Sequence, residues 1–197
     1  MKTQVLEHKD AYDIAKLHLK SFSGFFLTSL GYSFLVIFYK SVINNKNSIN
    51  LGVFENNKLI GFAIGSIKSE SFYKILLKEN FFQLLFSLLK PVIVNPYNII
   101  KLLKSFKSSN NKINIKDSAV LLSICVNPNS HLKGIGTVLV KEFEQEIFKY
   151  SNTLALTTDS LNNEKVNLFY IRNGYNLHSQ FFQSKRLMNF YVKNKIK

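Results

Sequence analysis

The sequence predicts an α/β (α+β) domain in which helices flank a central sheet, with a helical insertion between the third and fourth strands. Three observations predict it. The stretch "INLGVFENNKLIGFAIGSIKS" sets two β-prone runs around the turn-forming "ENNK", the pattern of a hairpin. Later, "SAVLLSICV" is β-branched and apolar on both faces, as a central strand covered on each side must be. That run passes through two glycines into a segment where Ile135, Val138, Leu139, Phe143 and Ile147 recur three or four apart. Lys141, Glu142, Glu144 and Glu146 fall between them, so this is an amphipathic helix resting on the sheet.

The remaining elements follow in chain order. "TQVLE" is a short strand, and Asp10 to Lys20 carries Ala11, Ile14, Ala15 and Leu17 to Leu19 at helical spacing, with Asp10 as its N-cap. "SFSGFFLTSLG" interrupts that period, and "YSFLVIFYKSVI" reads as a buried second helix. Residues 71–110 are rich in Leu, Ile, Phe and Lys and are divided by Pro91 and Pro96, which predicts two or three short amphipathic helices forming an insertion or lid. "TLALTTD" is a strand, and "NNEKVNLFYIRNG" is a short helix capped by Asn162 or Asn163 and ended by Gly174. "YNLHSQFF" and "RLMNFYVK" close the chain as strands.

Composition narrows the function classes. A chain of 197 residues, 46% hydrophobic, suits one domain spanning 1–197. One cysteine, Cys125, rules out a disulfide framework or a four-thiolate zinc site within the chain, and charges scattered through the first twenty residues do not read as a signal peptide. A cytoplasmic location is the expectation. "FLVIFY" and "FFQLLFSLL" are well short of the roughly 18 residues that span a bilayer. The net charge of +14 suits a polyanionic partner. Only Arg172 and Arg186 are arginines, however, which argues against specific nucleic-acid readout. His8, His18, His131 and His178 lack metal-ligand spacing, so no metal is expected.

The junction "VNPNSHLKGIG" carries the chemistry. A strand that turns through glycines into a helix leaves the first helical N–H groups unpartnered and aims the positive end of the dipole outward, a seat for phosphate. Gly134 and Gly136 admit a phosphate where a Cβ would intrude, and Lys133 and Thr137 add a charge and a hydroxyl. Glycines so placed also serve tight strand-to-helix packing, and the spacing alone leaves both readings open. A nucleoside-triphosphate loop and a three-glycine dinucleotide loop are both absent.

Val126 to Gly136, "VNPNSHLKGIG", resembles the acetyl-CoA loop V-x-P-x-x-[QR]-G-x-G-x-[GA] of the GNAT superfamily of N-acetyltransferases. Downstream, Asn163, Val166, Phe169, Tyr170, Gly174 and Tyr175 occupy the places of that family's second signature. The resemblance is strongest from Ala119 to Phe182. His131 stands where the family has Gln or Arg, Leu132 where it has its first loop glycine, and Val166 where it has alanine.

The resemblance implies a GNAT-like mixed, mostly antiparallel central sheet and acetyl-CoA as cosubstrate. Ile124, Cys125 and Val126 would splay from the neighbouring strand and offer backbone groups to pantetheine and thioester. His131, Leu132, Lys133, Gly134, Ile135, Gly136 and Thr137 would surround the diphosphate, and Asn163 would touch the pantetheine arm. Tyr170 would protonate the departing thiolate; the alternative for it is a core aromatic packed with Val166 and Phe169. The base stays open among Asp159, Asp117, Glu70 and a water chain, with Asp159 the choice. Cys125 reads as packing rather than as a nucleophile.

The acceptor side falls to Phe22, Phe25 and Phe26 and to residues 71–110, whose aromatic character suits a pocket over a small amine; ordinary packing is the alternative for the three phenylalanines. The resemblance extends to chains that accompany bacterial surface-polysaccharide enzymes, which implies an amino sugar or its nucleotide conjugate as acceptor, and a monomer or homodimer. Two other classes stand beside it. Lysine with Phe and Leu in 71–110 suits peripheral contact with an anionic membrane. His131 and Leu132 suit a GNAT-fold protein that binds CoA or a partner without catalysis.

Overall fold

The computed structural model describes residues 2–68, 118–183 and 185–196. The insertion expected over 71–110, and with it Glu70 and Asp117, lies outside the described residues. β1 (Thr3–Val5) leads through one 3₁₀ turn to α1 (Ala11–Ser21), α2 (Phe26–Ser29) and α3 (Gly31–Asn44). The hairpin β2 (Ser48–Glu55) and β3 (Lys58–Ser66) follows, then β4 (Ala119–Val126), α4 (Ile135–Ile147), β5 (Thr153–Asp159), α5 (Glu164–Arg172), β6 (Asn176–Gln183) and β7 (Arg186–Asn194).

The strands make one mixed sheet in the order β1-β2-β3-β4-β5-β7-β6, antiparallel at every neighbour except β4 and β5. The hairpin expected at "ENNK" turns through Asn56 and Asn57, both at positive φ, a conformation asparagine tolerates better than most residues.

Alternation along the strands sends side chains to two cores. On one face Phe62, Ile64 and Cys125 meet Ile14 and Ala15 of α1 and Leu35, Tyr39 and Val42 of α3. On the other, Ala63 and Leu121 meet Leu139, Val140, Phe143 and Ile147 of α4, with Tyr170, Tyr175 and Tyr191. The helices thus flank the sheet on both sides.

Asp10 stands at the N-cap position of α1 as expected, with its carboxylate turned back to accept the Glu7 N–H at 2.7 Å rather than bonding the amides of α1. Two local expectations are corrected. "SFSGFFLTSLG" holds the short helix α2 rather than a loop alone. Glu144, expected on the polar face of α4, is buried, because Lys193 of β7 reaches it at 2.6 Å and also donates to the carbonyl of Asn173 at 2.7 Å.

Candidate active site at the β4–β5 opening

The parallel ladder between β4 and β5 stops early. Ala119, Val120 and Leu121 pair with Leu154, Ala155 and Leu156, and nothing beyond them pairs. From there β4 follows β3 to Val126 while β5 follows β7 to Asp159, so the sheet divides. A bulge in β4 helps it diverge: Ile64 faces Ser123 and Gly65 faces Leu121, which leaves Leu122 as the extra residue.

The bulge also fixes which backbone groups face the opening. The Asn127 N–H donates to the Ile60 carbonyl at 2.7 Å, so in an alternating antiparallel ladder the backbone of Cys125 and Asn127 bonds to β3. Ile124 and Val126 therefore aim their N–H and C=O groups into the opening. On the α1 side Ser21 Oγ donates to the Val126 carbonyl at 3.5 Å.

Beyond Val126 the chain makes a tight turn before α4. Asn127 accepts from the Ser130 N–H at 2.9 Å through its carbonyl and from the Asn129 N–H at 3.1 Å through Oδ1. Gly134 precedes the helix at φ 81°, the left-handed region that costs an L-residue roughly 1–2 kcal/mol. Its carbonyl accepts from the Val138 N–H at 3.0 Å, which leaves Ile135, Gly136 and Thr137 with the free amides of a first helical turn. The Leu132 amide is already engaged, donating to Ser130 Oγ at 3.3 Å. His131, Leu132 and Lys133 are exposed, and the Ile135 side chain is core.

Gly136 differs from Gly134. A Cβ there would stand 3.5 Å from the Phe169 ring and 3.9 Å from Val126, ordinary contact distances. Gly134 is set apart by its backbone angle, a feature the sequence reading did not include, while at Gly136 a methyl fits but would fill the groove between β4, α4 and α5.

α5 supplies the other wall. Asn163 donates through Nδ2 to Thr158 Oγ1 at 2.8 Å and to the Asp159 carbonyl at 3.1 Å, so it ties α5 to the end of β5 rather than capping its own helix. One turn on, Asn167 donates to the same carbonyl at 3.1 Å and accepts from Asn189 at 2.8 Å and from the Tyr191 hydroxyl at 3.0 Å. Tyr170 is 6% exposed and rings with Tyr175 and Tyr191 at 5.6 and 6.0 Å. Burial raises its phenol well above the usual tyrosine range, and among the described residues no partner meets its hydroxyl.

Asp159 is paired. Arg186 Nε donates to Oδ1 at 2.7 Å and its second nitrogen bonds Oδ2, a two-point clasp of the carboxylate. The same guanidinium lies 4.9 Å over the ring of Phe25. Phe22 packs on His18 and Phe25 at ring distances of 4.7 and 5.5 Å, and Phe26 begins α2. Cys125 lies on the α1 face, its thiol pushed up to about 12 by burial, too high to supply thiolate near neutral pH.

The structure therefore turns the backbone of Ile124 and Val126 into the opening, sets Gly136 beside Val126 and Phe169, ties Asn163 to the end of β5, buries Tyr170 against Tyr175 and Tyr191, and places Phe25 and Asp159 on either side of Arg186. Arg186 and Asn167 escaped the sequence reading. Arg186 had one signal, being one of only two arginines; Asn167 had one in its position a helical turn after Asn163. Among the described residues no cluster of His, Cys, Asp or Glu could hold a metal ion, and no helix is long and apolar enough to cross a membrane.

No protein-family model and no curated protein matches the chain. Solved structures do. A putative acetyltransferase of the GNAT family from Desulfovibrio desulfuricans matches with TM-score 0.62 at 13% identity over 98% of this chain and 96% of its own. Aminoglycoside 6'-acetyltransferase type Ii matches with TM-score 0.62 at 16% identity over 100% and 99%. The PaiA N-acetyltransferase from Thermoplasma acidophilum, in complex with coenzyme A, matches with TM-score 0.57 at 15% identity over 98% of each chain.

Proposed function

We propose that this chain, which has the fold of the GNAT acetyltransferases, moves an acetyl group from acetyl-CoA to a primary amine of a small molecule. The observation that supports it best is the β4–β5 opening with the left-handed Gly134 and the free amides of α4 beside it. These groups fit the cosubstrate: a diphosphate suits the amides of Ile135, Gly136 and Thr137 with the Lys133 charge, and a thioester arm suits the opening.

Acetyl-CoA supplies an activated acyl carbon. The amine nitrogen attacks it, forming the C–N bond, while negative charge gathers on the carbonyl oxygen. The Val126 N–H, fixed by the ladder to β3, is placed to donate to that oxygen. As the C–S bond breaks, Tyr170 hands its proton to the thiolate, and its raised pKa keeps it protonated at neutral pH until then. The attacking neutral amine loses one proton on the acceptor side, and that proton, passed on through solvent, restores the one Tyr170 gives to the thiolate. For Asp159 to take the amine's proton, Arg186 would first release the carboxylate; a water chain along Ser21 is the other route we retain.

Phe22 and Phe25 would shape the acceptor pocket beside Arg186, and an amino sugar or its nucleotide conjugate is the acceptor we favour.

Calorimetric titration with acetyl-CoA tests the reading, followed by a screen of small amines corrected for thioester hydrolysis. One saturable site and amine-dependent CoA release are expected. Failure of acetyl-CoA to bind at millimolar concentration would overturn it, whereas binding without turnover on any amine would favour a CoA-binding protein that does no chemistry.

A further inference from the structure

A second recess lies on the face of the sheet opposite α4. Asp13, Lys16 and Lys20 project along one side of α1, Asn57 and Lys58 come from the β2–β3 turn, and Asn127 closes the end, together bounding about 220 Å³. Leu17 and Leu59 floor it and are buried. Lys16 is paired with Asp13 at 3.0 Å, while Lys20 and Lys58 have no acidic partner among the described residues. Two uncompensated ammonium groups over an apolar floor focus a positive potential into the recess.

Its position gives that potential a purpose. Lys20 precedes Ser21, whose hydroxyl touches the Val126 carbonyl, and Asn127 follows Val126, so one end of the recess abuts the lip of the opening. The free amides of α4 approach the opening from the other face. A volume below the ~300–1,000 Å³ of a whole-ligand pocket suits one end of a molecule whose other end enters the opening.

We infer that this recess is the acceptor's anion subsite: the amine substrate carries a phosphate-type group that Lys20 and Lys58 bind while its amine reaches Val126. The inference rests on the acetyl-transfer reading and narrows its substrate to a phosphorylated amine.

The test begins with inorganic pyrophosphate titrated into the protein already saturated with CoA, which keeps the α4 amides occupied. Saturable binding is expected, weakened about tenfold or more in the Lys20→Gln/Lys58→Gln double variant. A control removing the same charge elsewhere, Lys141→Gln/Lys149→Gln, should leave it within about twofold. Equal loss in both variants would reduce the effect to the general charge of the chain and overturn the subsite, as would no binding at all.

Turnover then separates an acceptor subsite from a site for free phosphate. The enzyme should prefer 2-aminoethyl phosphate over ethanolamine in kcat/KM, with pyrophosphate competing against the amine, and the double variant should erase the preference. Pyrophosphate inhibition that is not competitive with the amine would assign the recess to a free anion and overturn the acceptor role. An unchanged acetyl-CoA affinity shows that the variant is folded. Should CoA fail to bind the wild type, the transferase reading falls, while titration of the CoA-free protein and the double variant still reads the lysines.

Discussion

Replacing Gly134 by alanine isolates the backbone angle on which the diphosphate seat depends. No atom lies within 4 Å of the position a Cβ would take, so the methyl meets no clash and the cost is conformational alone. At φ 81° that cost is roughly 1–2 kcal/mol. At ~2–4 °C per kcal/mol for a chain of this size, the melting temperature should fall by about 2–8 °C. The chain can relieve the strain by rotating the peptide before Ile135, which turns a free amide away from the phosphate. One lost charge-assisted hydrogen bond, ~1.5–3 kcal/mol, weakens acetyl-CoA about 10- to 150-fold. Asparagine tolerates the left-handed region, so Gly134→Asn should recover most of both losses. Gly136→Ala, with no such angle, should keep wild-type stability and lose affinity only through the methyl beside Phe169. Calorimetry with acetyl-CoA and thermal unfolding read the two quantities separately. The reasoning fails if Gly134→Ala lowers stability while acetyl-CoA binds as before, since the amides of α4 would then not hold the cofactor.

Three further outcomes are expected. Tyr170→Phe should keep a wild-type melting curve, its hydroxyl having no partner among the described residues, and lower kcat by about 10²–10⁴-fold; unchanged acetyl transfer would remove it as the acid. Glu144→Ala strands the Lys193 ammonium in a largely buried place and should cost about 3 kcal/mol in urea unfolding, with Glu144→Met/Lys193→Met recovering much of it. Burial holds His18 at about 4 in the folded chain against 6.5 ordinarily, so the unfolded chain binds the extra proton between those values. Stability should therefore be complete above about pH 6.5 and fall by on the order of 3 kcal/mol toward pH 4, a slope that His18→Gln flattens.

What the residues disclosed in advance was mostly local. Apolar spacing sufficed for α1, α3 and α4, and alternation with "ENNK" for the hairpin, because those signals lie within a dozen residues of one another. The helix start at the glycine junction was legible because it is a local feature; the left-handed angle of Gly134 was not read from the residues. Arg186 was not, because its meaning comes from Asp159 and Phe25, and Phe25 is brought near only by the return of β7 to the sheet. Glu144 misled for the same reason: on α4 alone it falls among polar neighbours, and only the distant Lys193 makes it an interior residue. The recess beside α1 was hidden too, since its lysines are drawn from α1 and the β2–β3 turn and acquire a common direction only in the folded sheet.

The early end of the β4–β5 ladder has a mechanical corollary. In backbone terms the sheet is two plates, one ending at β4 and the other beginning at β5, joined along one short seam at Ala119–Leu121. The stretch from Leu122 to Val126, paired to β3 but not to β5, carries its plate beyond the seam as a lever arm of about five residues, roughly 17 Å at ~3.3 Å per residue. A turn of only about 5° at the seam would carry the tip at Val126 through roughly 1.5 Å, about half a hydrogen-bond length. Small repacking where α4 bears on Leu121 is thus geared up into the alignment of a single N–H with its target, and substitutions at the seam, far from any bound molecule, should register first as errors of aim.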